Sequence, residues 1–272
     1  RLLKTWIKSP LLEVKEINRR LDAVESLKND LLSREEIRVV LDHVYDLERL
    51  LSRIVSDFHN PKDLLALASS LIPLHDLGEI LSHLDSQFMK ENAAYFSELV
   101  KPDHPCQQVL YLIQTHIRED APASIKEGGV IKPESSEELQ SLLNSFKSVK
   151  EWMANLESVE RDQTGIRSLK VTFNKVFGYA IEISNTHKDK VPPHYVRKQT
   201  LTSAERYITQ ELKEKESVLL NAEEKQKALE AAIYQKIVDD IKVHVASLQD
   251  LSHILAQLDV LQSLGTAAQK YG

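Results

Sequence analysis

The chain is poor in the residues that break helices and in those that cross-link a fold. Its 272 residues include seven glycines, nine prolines and one cysteine, Cys106. A single cysteine excludes an internal disulfide framework and fits a reducing compartment such as a cytoplasm. Because tight turns are built mainly from glycine and proline, their scarcity indicates a helix-rich protein.

Long apolar runs and catalytic motifs are also missing. No apolar run reaches the roughly 18 to 20 residues of a membrane-spanning helix, and no signal-peptide pattern occurs, so we expect no membrane association. Neither H-E-x-x-H nor G-x-x-x-x-G-K-[ST] is present. Cys106 has no second cysteine to complete a zinc set. We therefore expect no enzymatic activity, cofactor or metal in these residues.

The chain opens on Arg1-Leu2-Leu3, which already belongs to an apolar helical pattern and lacks an initiator methionine. We therefore expect it to be a piece of a larger protein. Its net charge of −6 by itself argues against a nucleic-acid partner. Residues 165–210, however, hold eight basic and three acidic side chains, a local net charge of +5. Such a basic segment on an acidic frame is typical of polyanion binding, although chance clustering on a solvated face gives the same pattern.

Apolar residues that recur every three or four positions predict amphipathic helices along most of the chain. The pattern covers residues 17–31, 37–54, 64–84 and 109–117, and Pro73 is predicted to kink or end the third of these helices. One stripe of apolar residues per helix is typical of a helical bundle.

Two longer helices are predicted in the second half. One covers residues 137–160, and the other begins near Ala204 and continues to about His244, on the order of 60 Å at about 1.5 Å per residue. A helix of that length needs a partner, so the two are predicted to run antiparallel. A last helix over 248–264 returns to the bundle. The predicted fold is mostly α, a bundle with long antiparallel helices and a small antiparallel β unit at their tip.

Between the long helices the hydrophobic period changes to two. Alternating residues predict strands over 169–173, 179–184 and 195–201. If these strands form an antiparallel meander, the first hairpin turn and the end of the third strand meet at one edge. That edge then collects cations, hydroxyls and an amide, which suit phosphate contacts: Asn174, Lys175, Lys198, Thr200, Thr202, Ser203 and Arg206. Lys188 and Lys190 are placed at the opposite edge.

The same edge is predicted to hold a helix N-terminus. Thr202-Ser203-Ala204-Glu205 fits the capping box [ST]-x-x-[EQ], so the second long helix is expected to begin there. Free backbone N–H groups and the positive end of the helix dipole attract anions. Capping alone also accounts for this motif, since any helix can begin with it.

Several longer strings resemble the MutS family of DNA mismatch-repair proteins. The runs "FGYAIEI", "VPPHYVRKQTL" and "AERYITQELKE" are similar to the clamp region of that family. The opening "RLLKTWIKSPLLEVKEINRRLDAVESL" resembles the start of the family's lever domain, and "LAQLDVLQSLGTAA" resembles its end. The resemblance extends over essentially the whole chain.

This resemblance implies a lever domain over residues 1–160 and 207–272 and a clamp domain over 161–206. In the family, two protomers of a homodimer close their clamps around duplex DNA and grip the backbone without reading sequence. The implied DNA-facing residues are Asn174, Lys175 and the segment from Lys198 to Ser203. The family's ATPase domain, which binds ATP and Mg²⁺, and its mismatch-reading Phe-x-Glu element lie outside these residues. Partner proteins such as MutL and a bacterial, nucleoid-associated cytoplasmic location are also implied.

The long paired helices allow a second interpretation. They are equally typical of a coiled-coil interaction module whose β tip docks a protein. Binding of duplex DNA at low salt distinguishes the two, because a protein-docking tip has no need of it.

Overall fold

The computed structural model describes residues 1–174 and 176–272, apart from the side chains of Ser145 and Phe146. Within this range the chain divides into two compact units. The bundle unit contains Arg1–Lys132 and Ala231–Gly272, and the sheet unit contains Pro133–Glu230. The predicted clamp, residues 161–206, falls inside the sheet unit. Its functional boundaries stay a prediction.

Helices make up most of the described chain, as the apolar periodicity predicts. In chain order they are α1 Leu2–Lys8, α2 Val14–Asn29, α3 Leu31–Asp42, α4 Leu47–Val55, α5 Pro61–Leu71, α6 Leu77–Ser82, α7 Gln87–Leu99, α8 Pro105–His116, α9 Glu137–Thr164, α10 Gln210–Val243 and α11 Val245–Tyr271.

The bundle unit is organised around α11, which packs on α2, α3 and α4. Leu27 of α2 is fully buried, and it faces Gly265 of α11 so closely that a Cβ on this glycine would lie 2.9 Å from the Cβ of Leu27. Arg34 of α3 is also buried, and its guanidinium donates to the Leu27 carbonyl at 3.0 Å and to Gln269. This arginine therefore closes the C-terminal end of α2, whose last carbonyls have no partner within the helix.

Proline sets two helix boundaries in this unit. Asn60 caps α5 in a capping box with Asp63, and Pro61 occupies the first helical position. Ile72–Asp76 is a 3-10 helix that contains Pro73, so the predicted interruption at this proline is confirmed. Among the described residues, Pro61–Ser82 is the one helical stretch long and apolar enough to cross a membrane. Half of its most apolar segment is buried in the protein, so packing in the core explains why this stretch is apolar.

The sheet unit contains α9 and the first part of α10, which run antiparallel. Leu142 near the start of α9 lies beside Leu229, whereas Trp152, further along α9, lies beside Lys215 near the start of α10. The apolar sides of both helices and the inner face of the sheet form one core. It includes Val149, Met153, Leu156, Ile181, Ile183, Tyr207, Leu212 and Leu219.

The sheet has four strands, one more than predicted. They are β1 Lys170–Asn174, β2 Gly178–Ser184, β3 Val196–Thr200 and β4 Ala204–Ile208. All neighbouring strands are antiparallel, in the order β1-β2-β4-β3. Because β4 lies between β2 and β3, β3 runs parallel to β2 and ends at the opposite end of the sheet from the β1–β2 turn.

The predicted helix start at Thr202–Glu205 is wrong. Thr202 and Ser203 form the tight turn between β3 and β4, closed by a hydrogen bond from Leu201 N to Ala204 O of 2.8 Å. The helix cap is Thr209, whose Oγ1 accepts from Leu212 N at 3.1 Å. No long-helix N-terminus therefore lies at this turn. The prediction that a helix dipole attracts an anion there is also wrong.

Carboxylates on the two helices hold the sheet in place. Glu157 of α9 accepts from Val171 N at 2.9 Å, and Glu216 of α10 accepts from Tyr179 N at 2.6 Å. Glu160 of α9 accepts from the Tyr195 hydroxyl. Glu160 and Glu216 are each 9 % exposed. Because buried carboxylates need such donors, these bonds fix where the sheet sits on its helices.

Candidate nucleic-acid interface

The predicted site residues lie at two ends of the sheet, not at one edge. The hairpin end is defined by the β1–β2 turn, where Asn174 and residues 176–178 lie. The polar end is the opposite end, where β2 stops and β3 turns into β4. The sheet between them is the length of β2, which is seven residues or about 20 Å at about 3.3 Å per residue.

At the hairpin end, the Asn174 side chain hydrogen-bonds the backbone of the turn in which it lies. Its Oδ1 accepts from Val176 N at 2.8 Å and from Phe177 N at 3.2 Å. Gly178 completes the turn with a φ of 72°, a value that favours glycine. Side chains such as Asn174 are common in turns because they hydrogen-bond the backbone two residues on. Lys175, the next predicted site residue, lies outside the described residues.

Lys198 and Arg206 line a shallow groove on the outer face of the sheet, together with Asn174, Thr172 and Gln199. The Lys198 ammonium donates to the Phe177 carbonyl, and no carboxylate is within salt-bridge distance of it among the described residues. Lys198 sits at a bulge between Arg197 and Gln199, where β3 slips by one residue against β4. The bulge leaves Lys198 exposed beside the groove.

Arg206 is largely neutralised within the sheet. Its Nε lies 2.9 Å from Glu182 of β2, and its Nη1 donates to Gln199 of β3 at 3.0 Å. Its side chain is 21 % exposed. A phosphate at this arginine must compete with the carboxylate of Glu182, so Lys198 is the more available cation of the groove.

Thr200, Thr202 and Ser203 are exposed and lie towards the polar end. The turn that holds Thr202 and Ser203 is fastened to Asn185, whose backbone N donates to Ser203 O and whose Nδ2 donates to Thr202 O, both at 3.1 Å. Asn185 begins a 3-10 helix, Asn185–Lys190, that contains Lys188 and Lys190. The prediction that these lysines lie opposite Thr202 and Ser203 is therefore wrong, because the extra strand reverses β3.

Glu205 of β4 is a buried carboxylate that pairs with two cations and a hydroxyl group. It is 3 % exposed, and its carboxylate meets Lys188 Nζ at 2.8 Å, Arg197 Nη1 at 3.4 Å and the Tyr207 hydroxyl at 2.5 Å. The hydrogen bonds from Lys188 and Tyr207 hold the pKa of Glu205 below its ordinary value of 4.5. Burial and the bond to Glu205 raise the pKa of Tyr207 to about 12. Sequence reasoning missed this inward role, although Glu205 and Tyr207 alternate with Ala204 and Arg206 as a strand requires.

We expect acid to weaken this cluster. Because the folded-state pKa of Glu205 is lowered, its charged form stabilises the fold above pH 4.5, and this contribution is lost as the pH falls through the folded-state pKa. Glu205→Gln should lower the free energy of unfolding at neutral pH, and the gap to wild type should close as the pH drops below 4.5. Urea unfolding across this range measures it, and a gap that does not vary with pH would contradict the assignment.

Comparison with known proteins identifies the family. Residues 1–265 match the family model for MutS domain III. The chain belongs to this family, in agreement with its mostly helical fold and inserted four-stranded antiparallel sheet.

The relatives found are proteins named DNA mismatch repair protein MutS. The chain is 42% identical to that of Halothermothrix orenii over 268 residues, which is 98% of this chain and 29% of the relative. It is 42% identical over 273 residues both to that of Brevibacillus brevis, with 100% and 31% covered, and to that of Methanosarcina mazei, with 99% and 30% covered. The chain thus spans about three tenths of the length of these relatives.

Proposed function

We propose that this chain is the part of a MutS-type mismatch-repair protein that grips duplex DNA, and that its sheet unit contacts the phosphate backbone without reading sequence. The observation that carries the proposal is the exposed Lys198 side chain beside the groove, whose ammonium has no carboxylate partner among the described residues. Cations, hydroxyls and amides form most protein contacts to phosphate. Asn174, Lys175, Thr200, Thr202, Ser203 and Arg206 are proposed as further contacts.

For the whole protein we propose the arrangement that the family resemblance implies. Residues 161–206 act as the clamp, and residues 1–160 and 207–272 act as the lever. Two copies close around one duplex as a homodimer. ATP and Mg²⁺ are held by a domain outside these residues, and partner proteins such as MutL act on the intact assembly.

Charge reversal at Lys198 tests the proposal. Lys198→Glu is expected to lower the affinity of the chain for duplex DNA by about threefold to tenfold at low salt, and to lower the slope of log affinity against log salt by about 0.9 or more. The loss should be the same for duplexes of unrelated sequence, because phosphate contacts carry no sequence information. Fluorescence anisotropy with three labelled duplexes at two salt concentrations measures both quantities.

Lys213→Glu is the matched control, since Lys213 is an exposed lysine of α10 in the same unit. It makes the same change in net charge at a position that does not line the groove. Equal losses of DNA affinity for the two variants would show that net charge, and not the position of Lys198, causes the effect. Salt-independent binding, or a loss confined to one DNA sequence, would contradict a grip on the backbone. A tip that binds a protein and no DNA at low salt would favour a protein-docking module.

A further inference from the structure

The corner between α4 and α5 in the bundle unit has a strained backbone. Helix α4 ends in a Schellman motif, in which Phe58 N donates to Arg53 O at 3.0 Å. Asp57 N donates to Ile54 O at 3.4 Å and completes the motif. Asp57 occupies the left-handed position, with a φ of 58°, and it is the one non-glycine residue with a positive φ among the described residues. Glycine suits this position better, so an aspartate here indicates a further role for its side chain.

The carboxylate of Asp57 reaches α10. It pairs with Lys242 Nζ at 2.6 Å and lies 3.7 Å from Nε2 of His59. Lys242 stands one residue before the end of α10, and Asp239 is its second carboxylate neighbour at 3.7 Å. The hydrogen bond between Lys242 and Asp57 lowers the pKa of Asp57 and raises that of Lys242. The left-handed turn therefore places a carboxylate where it binds the last turn of α10.

His59 makes the second contact between this corner and α10. Its Nδ1 lies 3.0 Å from the Tyr234 hydroxyl, and the centroids of the two rings are 5.6 Å apart. The His59 side chain is 6 % exposed, and Tyr234 is 5 % exposed. Tyr234 and Lys242 are about two helical turns apart, so the corner holds α10 at two points on one side.

Charges of both signs face the His59 ring. Asp57 of the corner and Asp63 of α5 favour a proton on the imidazole, whereas Lys242 of α10 opposes it. Both carboxylates already have cation partners, since Asp63 pairs with Arg53 of α4 at 2.9 Å and Asp57 pairs with Lys242. Burial is the largest influence on His59, and it lowers the pKa of this residue below its ordinary value of 6.5. The closed corner therefore holds His59 uncharged at neutral pH.

Acid favours opening of the corner. Because the pKa of His59 is lowered when the corner is closed, the open form binds a proton more tightly. The closed form is fully favoured above pH 6.5, and this advantage is lost as the pH falls from 6.5 towards the folded-state pKa. Asp57 and Phe58 have exposed side chains, and segments with few buried side chains open more readily than packed helices. Opening hydrates the charged imidazole and releases the left-handed backbone of Asp57.

We propose that Asp57 and His59 form an acid-released latch that holds the C-terminal part of α10 on the bundle. At neutral pH the latch is closed through the ion pair with Lys242 and the hydrogen bond with Tyr234. When His59 takes up a proton from solvent, the corner turns outwards and residues 231–243 lose two of their side-chain anchors. This inference goes beyond the proposed function, because it concerns the bundle unit alone and involves no DNA.

Hydrogen exchange measured by mass spectrometry tests the latch in the 272-residue chain. After correction for the intrinsic effect of pH, residues 231–243 are expected to exchange about threefold to tenfold faster at about pH 5.5 than at about pH 7.5. Helix α2 is the internal reference and should not change. His59→Asn keeps a hydrogen-bonding group near the place of Nδ1 but cannot titrate, so its exchange should not vary with pH. His75→Asn, at an exposed histidine of the same unit, is the matched control and should keep the wild-type pH dependence.

Substitutions at Asp57 distinguish a latch from simple helix termination. If Asp57 only ends α4, Asp57→Gly removes strain and should not speed exchange of residues 231–243. A latch predicts the opposite at neutral pH, an exchange about twofold to fivefold faster, because the ion pair with Lys242 is lost. Asp57→Asn keeps a residue that tolerates a positive φ and removes only the charge, so it should act in the same direction. Adding Lys242→Met to Asp57→Asn should then have little further effect.

Several results would overturn the latch. One is exchange of residues 231–243 that does not vary with pH in the wild type, and another is a wild-type pH dependence in His59→Asn. Equal acceleration in α2 would show that the whole bundle opens in acid, and slower exchange in Asp57→Gly would leave Asp57 as a helix-ending residue. Because no DNA is present, none of these results bears on the proposed function.

Discussion

Replacing Gly178 by alanine is expected to destabilise the sheet unit by about 2 to 4 kcal/mol. Gly178 has a φ of 72°, where a Cβ costs about 1 to 2 kcal/mol. That Cβ would also lie 2.9 Å from Cδ of Glu216 and closer still to a carboxylate oxygen. Moving the carboxylate breaks its 2.6 Å bond with Tyr179 N, and a buried unsatisfied group costs about 1 to 3 kcal/mol. Chemical denaturation followed by circular dichroism measures the loss.

Gly165→Ala is the matched control. Gly165 also belongs to the sheet unit and has a φ of 65°, yet a Cβ there meets nothing within 4 Å. It should show the conformational cost alone. The excess for Gly178→Ala should shrink when Glu216→Ala is already present, because the clashing carboxylate is then gone. An unchanged excess in that background would remove Glu216 from the explanation.

Leu27→Ala is expected to cost about 3 to 5 kcal/mol in the bundle unit. The side chain is fully buried between α2 and α11, and fully buried leucines leave cavities that the surroundings fill only in part. The close approach of Gly265 keeps the two helix backbones in contact, so there is little room for them to move inwards. The free energy of unfolding from urea titration gives the value.

Leu21→Ala on the same helix separates core packing from helix propensity. Leu21 is 59 % exposed, so its truncation should change stability by no more than about 0.5 kcal/mol. Similar losses for the two leucines would place the effect in the helix itself, not in its contact with α11.

The helical part of this fold could be predicted from local patterns. The apolar stripes of the bundle, the break at Pro73 and the start of α9 at Glu137 all follow from signals that lie within one helix. The strand regions of β1 and β2 were also predictable, since their side chains alternate and a short turn connects them.

Strand β4 could not be assigned in the same way. Its five residues overlap a motif that also fits a capping box, and no glycine or proline separates them from α10. What makes them a strand is pairing with β2, as between Arg206 and Glu182, which are 24 residues apart. A local pattern does not contain that partner, so the helix assignment fitted the sequence equally well.

The error in β4 changed the site more than the fold. Without β4, the sequence predicts that β3 runs in the opposite direction to the one observed. Thr202 and Ser203 are therefore predicted at the hairpin end, whereas they lie at the polar end. The observed strand order also brings the segment of Lys188 and Lys190 beside them. The residue types were predicted on chemical grounds, but their grouping depends on strand order, which is a long-range property.

The bond between Glu157 and Val171 N has a consequence for solubility. β1 and β3 are the two outer strands, and outer strands with free N–H groups recruit strands from other molecules. On β1 the Glu157 carboxylate occupies one such N–H group. On β3 the bulge at Lys198 interrupts the register and places a charge at the edge. Both borders thus resist the addition of a foreign strand, so a crowded solution of this chain is protected from aggregation through its sheet.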